Sequence, residues 1–98
     1  MKIEIKKEFY PDYISREAGE KLRQKVAQQL QQGSIIELDF ADCMIASTSF
    51  FDEGIAKLAL EFDDVNEKAK LLKIKNLHRR DRELLLSLCK KRIFKIFL

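Results

Sequence analysis

The sequence predicts an α/β fold: a four-stranded, mostly parallel sheet with helices mainly on one face, built as one domain over residues 1–98. Two observations predict the topology. Segments of period two alternate with segments of near-four period along the whole chain. Alternating strands and helices argue for parallel strands joined by helical crossovers. A third observation predicts the layering. Every strand segment carries charges on one side, whereas strands covered on both faces read as continuous apolar runs. One sheet face is therefore expected to be wet.

The elements follow in order. Lys2 to Phe9 alternates, with Ile3, Ile5 and Phe9 on one side and Lys2, Glu4, Lys6 and Glu8 on the other, which predicts a first strand. Tyr10-Pro11-Asp12 breaks it. Ser15 is placed to cap a helix whose stripe is Ile14, Ala18, Leu22, Val26 and Leu30, and Gly33 stops it. Ser34 to Phe40 predicts the second strand, with Ile36, Leu38 and Phe40 inward. A second helix is expected from about Phe50 to Phe62, burying Phe51, Ile55, Leu58, Ala59 and Phe62. Lys70 to Lys75 predicts the third strand. A third helix runs from about Arg79 or Arg80 to Lys91 and buries Leu84, Leu85 and Leu88, with Cys89 on the same apolar stripe. Ile93 to Leu98 is read as a fourth strand, or as a continuation of that helix.

Composition sets bounds on function. An apolar share of 46% fits a folded protein. No apolar run approaches the ~18 residues of a membrane span, and the charged N-terminus does not read as a signal peptide. Cys43 and Cys89 lie far apart without metal-like spacing. A reduced, cytoplasmic protein without membrane association is expected. Net charge is only +3, but residues 37–67 carry nine acids and one lysine while residues 68–98 carry eleven basic residues and two acids. The two segments are expected to attract within the fold, or each to face a partner.

The stretch richest in chemistry is Leu38 to Gly54. It reads as a strand end, a loop and a hydroxyl-rich helix start, Ser47-Thr48-Ser49. Ser49, with Asp52 three residues on, fits a helix-start signature. One reading of these hydroxyls is helix capping, worth ~1 kcal/mol. The other is a switch, because a phosphate at a helix start gains from free amides and the dipole. Phe50 and Gly54 lie one turn apart, off the apolar stripe. They are read as tight packing or as a docking patch.

Leu38-Asp39-Phe40 and Ser49-Phe50-Phe51-Asp52-Glu53 resemble the core signature of STAS-like domains, the modules of anti-sigma-factor antagonists. The similarity is greatest to small bacterial STAS-like families with a Ser-Phe-x-Asp-Glu element. In antagonists an Asp-Ser-Ser-Gly element carries the serine that a partner kinase phosphorylates. Ser47-Thr48-Ser49-Phe50 stands at the matching positions, so Ser49 takes the place of that serine, Ser47 replaces the aspartate and Phe50 the glycine. The resemblance implies a bacterial cytoplasmic signalling module that docks to a GHKL-type ATPase or kinase. Ser47, Thr48, Ser49, Phe50, Asp52 and Glu53 would form its docking surface and Ser49 would be the phosphorylation candidate. It implies no catalysis by this chain and no cofactor.

Other constellations are weaker. Asp39, Asp42, Asp52 and Glu53 form an acidic edge with no neighbouring histidine; a magnesium site there is the minor reading. His78-Arg79-Arg80-Asp81-Arg82 and the basic Lys90, Lys91, Arg92 and Lys95 offer an alternative function, a small nucleic-acid-binding accessory protein. The low net charge and the lack of interleaved aromatics argue against it. Cys43 and Cys89 are expected to be structural thiols, and three isolated glycines make no phosphate loop.

Overall fold

A computed structural model describes residues 1–98. Three parallel strands, β1 (Lys2–Glu4), β2 (Ile36–Asp39) and β3 (Leu72–Lys75), form the sheet in the order β1-β2-β3. In register, Ile3, Leu38 and Ile74 align across one face, and Lys2, Glu37 and Lys73 across the other. The apolar face carries the core, with Ile36, Leu38 and Leu72 almost fully buried. On the polar face Lys2, Lys73 and Lys75 are exposed, and Lys2 bridges to Glu37 and Asp39. The one-sided charge pattern in the sequence therefore corresponds to a sheet with one buried and one wet face.

The sheet has three strands, not the expected four. Residues 93–98 form no strand. The chain leaves the last helix, buries Phe94 in the core, and gives the Lys95 amide to Asn66 Oδ1 at 2.8 Å. A side chain thus takes a backbone group that a strand ladder would need. The first strand is also shorter than the alternation predicts. It ends at Glu4, and α1 (Ile5–Phe9) follows. Continued alternation would have placed Lys7 on the apolar side with Ile3, Ile5 and Phe9. A helical turn keeps Ile5 and Phe9 buried, four residues apart, and leaves Lys7 exposed.

The crossover to β2 is α2 (Arg16–Gln31). Ser15 caps it as expected: its Oγ accepts from the Ala18 amide at 3.1 Å. Ala18, Leu22, Val26 and Leu30 are buried at steps of four, but Ile14, which precedes the cap, is exposed. The helix ends at Gly33 with φ +74°, where the Gly33 and Ser34 amides reach back to the Leu30 and Gln29 carbonyls. This double bond pattern is the Schellman motif, and glycine takes its left-handed position without a Cβ penalty.

The crossover to β3 begins with one helical run in three parts: α3 (Thr48–Phe51), a π-helical segment Asp52–Ala56, and α4 (Leu58–Glu61). Phe51, Ile55 and Leu58 are fully buried, as the periodicity predicts. A short α5 (Val65–Lys68) and a 3₁₀ turn (Ala69–Leu71) lead into β3. The chain ends with α6 (Arg79–Lys91) and the tail. The π segment packs closely on α2. A Cβ on Gly19 would lie 2.8 Å from the Phe50 carbonyl oxygen and 2.9 Å from Glu53 Cβ; one on Gly54 would lie 3.1 Å from Leu22. Gly54 thus belongs to a helix crossing, the packing reading of the Phe50–Gly54 pair. No helix is long and apolar enough to cross a membrane.

Candidate functional site

The surface in question starts in the loop that leaves β2. The loop is pinned at both ends by the burial of Phe40 and Ile45. Between them Asp42 adopts φ +58°, and Ala46 follows with φ +48°. Such a path is held by Asp81, on the first turn of α6. Its carboxylate is fully buried and accepts the Ile45 amide at 2.7 Å and the Ala46 amide at 2.8 Å. A buried carboxylate is tolerable only when such donors surround it. Asp81 therefore sets the position of the chain immediately before the hydroxyl cluster.

The cluster divides its duties. Ser47, not Ser49, is the helix cap. Its Oγ accepts from the Phe50 amide at 3.1 Å and donates to the Ile14 carbonyl at 2.6 Å, tying the helix start to the loop before α2. Thr48 is exposed. Ser49 is half-buried, forms no side-chain hydrogen bond within the chain, and its hydroxyl reaches solvent. Phe50, placed by the sequence reading on the docking surface, is fully buried. Its ring meets Phe9 edge-on at 5.9 Å and Phe51 at 6.1 Å. It supports the helix start from beneath and contributes nothing to the surface.

The two acids of the motif are both paired. Arg92 grips Asp52 with Nε and Nη2, at 3.1–3.2 Å, just beyond the end of α6. This is one place where the acidic middle and the basic end of the chain attract within the fold. Glu53 sits among Arg16, Arg23 and Lys57, with Lys57 at 2.5 Å, Arg23 at 2.9 Å and Arg16 at 3.1 Å. Arg23 also donates to the Glu53 carbonyl. The Lys57 ammonium first, then Arg23, hold the Glu53 carboxyl down at about 2.

The remaining acids do not converge with them. Asp39 accepts from Asn76 Nδ2 and from the Ala41 amide, each at 2.9 Å, and these bonds, the Asn76 one foremost, hold its carboxyl below the usual range. It shares a cleft of about 150 Å³ with Asp42, Glu4 and Lys6. No three carboxylate, histidine or cysteine side chains come together as a metal-ligand group. Burial raises the Cys43 thiol, and pushes the Cys89 thiol up to about 12. His78 is exposed and accepts from the Arg80 amide at 3.1 Å, capping α6.

Asp81 and Arg92 are the anchors that sequence reasoning missed. A signal for Asp81 existed. It lies four residues before Leu85 and seven before Leu88, on the buried stripe of α6, and an acid on an apolar stripe asks for buried donors. Nothing local marks Arg92, because its partner is 40 residues away.

The arrangement is that of a small α/β binding module: a parallel sheet, a loop pinned by a buried carboxylate, and a helix start at which the Thr48 and Ser49 hydroxyls are both free of hydrogen bonds within the chain. The chain belongs to the family described as STAS-like domain of unknown function (DUF4325), whose match covers residues 18–81 and so includes β2, the pinned loop and the whole Ser47–Glu53 element. Membership points to a regulatory, protein-interaction role. No match to the chain was found among curated proteins or solved structures.

Proposed function

We propose that the chain is a bacterial cytoplasmic signalling module that works by docking to a GHKL-type ATPase or kinase. The docking surface is the part of the helix start that reaches solvent: the exposed Thr48 with the half-buried Ser47, Ser49, Asp52 and Glu53. Phosphorylation of Ser49 switches it. The observation that carries this reading is the division of labour between the serines. Ser47 does the capping, which leaves the Ser49 hydroxyl free of hydrogen bonds inside the chain. A phosphate there adds about two negative charges next to Asp52 and Glu53. Arg16, Arg23 and Lys57 already surround Glu53. A second anion one turn away competes for them and changes the charge that a partner meets.

The test takes a purified GHKL-type kinase domain as the partner. With ATP, mass spectrometry should find phosphate on Ser49 and none on Ser49→Ala. Ser49→Asp should weaken binding by ~1–3 kcal/mol, while Ser49→Ala leaves it nearly intact. An unmodified Ser49 together with equal binding by both variants would overturn the switch.

A further inference from the structure

The end of α6 breaks the pattern set by the end of α2. Both helices close with the same Schellman bonding. At the end of α6 the Ile93 amide reaches the Lys90 carbonyl at 3.1 Å, and the Phe94 amide reaches the Cys89 carbonyl at 3.0 Å. The left-handed position holds Gly33 in α2 but Ile93 in α6, with φ +55°. A β-branched residue in that region is a conformational outlier. Its side chain gains little from the core in return, for it is 81% exposed. Folding alone would favour glycine here, and a local cost with no folding return is characteristic of a surface kept for binding.

Ile93 borders an open groove of about 440 Å³, lined also by Leu86, Lys90, Phe94, Lys95 and Ile96. The charge around it is unbalanced. Of the eleven basic residues in 68–98, only Lys68, Lys70, Arg79 and Arg92 make ion pairs. Lys90, Lys91 and Lys95 are among the seven that do not. In contrast, intrachain pairs occupy every acid of residues 37–67 except Asp42 and Asp63. A second copy of the chain offers the exposed Glu17 and Glu20 of α2, which make no ion pair, so self-association is the competing outcome of the test. Nucleic acid lacks the apolar side chains that the groove would cover, and the one aromatic lining it, Phe94, is buried and gives no stacking surface.

We infer that the groove between α6 and the tail is a second docking site, taking an acidic amphipathic helix of a partner protein with its apolar face against Ile93 and Leu86 and its carboxylates against Lys90 and Lys95. It is separate from the Ser49 surface, and its failure leaves that reading untouched. The test measures fluorescence anisotropy with a panel of labelled acidic amphipathic helical peptides of about four turns. Peptides of the same composition scrambled to remove the apolar face, a single-stranded oligonucleotide and phosphatidylglycerol vesicles are the other arms. The ordered peptides should bind saturably and about tenfold more tightly than the scrambled ones. Lys90→Glu with Lys95→Glu should weaken binding about tenfold. Ile93→Gly should weaken it several-fold while the thermal midpoint holds or rises, a split that damage to the fold cannot produce. No saturable peptide binding, equal binding of scrambled peptides, tighter binding of the oligonucleotide or the vesicles, or a dimer that Ile93→Gly dissolves would each overturn it.

Discussion

At the scale of single residues, the site depends on carboxylates that do different work. Asp81 has no exposure and two backbone donors, so it fixes a loop. Glu53 is partly open and meets three cations, so its contribution depends on pH. Its folded pKa is depressed to about 2 from an ordinary value of 4.5. A carboxylate depressed in the folded state stabilises fully above its unfolded pKa and loses that contribution as pH falls towards the folded value. Glu53→Gln should therefore be less stable than the parent chain at neutral pH, and the gap should close between about pH 4.5 and 2. Urea unfolding at a series of pH values measures the gap. A difference that stays constant across that window would show that charge on Glu53 is not the source.

At the scale of elements, the decisive contact is between α2 and the π segment. Replacing Gly19 by alanine in a helix gains up to ~1 kcal/mol in propensity. The new Cβ would meet the Phe50 carbonyl oxygen at 2.8 Å and Glu53 Cβ at 2.9 Å. Backbone must move to relieve such contacts, and overpacking of this kind costs ~1–3 kcal/mol. The packing term should win. Gly19→Ala is expected to lower stability by ~1–2 kcal/mol net, read from the denaturant midpoint, and to disturb the Ser47–Glu53 surface through the same shift. A midpoint above that of the parent would mean that the helices separate freely. The periodicity of α2 was legible because one stripe of four apolar residues carries it. The π segment was not, because widening a helical turn by one residue leaves no mark on so short an apolar pattern.

At the scale of the whole molecule, the sheet divides the protein into a dry side and a wet side. Leu38 is the fully buried centre of the middle strand, between Ile3 and Ile74. Its neighbour Glu37 faces the other way and pairs with Lys2 at 3.8 Å. Truncation should separate the two sides clearly. Leu38→Ala should cost ~2–5 kcal/mol, while Lys2→Ala should cost under ~1 kcal/mol, the usual worth of an exposed ion pair. Similar losses for both in chemical denaturation would contradict the two-faced sheet.

The sequence by itself determined the order of the three strands and their main crossover helices, the parallel topology, the inward faces of β2, α2 and α6, and the position of the hydroxyl cluster at a helix start. Each depends on local periodicity or on a capping residue, and both are written in consecutive letters. Only tertiary structure decided the rest. It made Ser47 the cap, because the Ile14 carbonyl stands within reach of its hydroxyl. It buried Phe50, because Phe9 arrives from another helix to meet it. It kept the tail out of the sheet, because Asn66 takes the Lys95 amide. It placed Arg92 on Asp52 and Asp81 on the Ile45 and Ala46 amides. The physical reason is common to all of these. A hydrogen bond or ring contact between groups 29 to 41 residues apart depends on where the chain returns, and no local pattern records that.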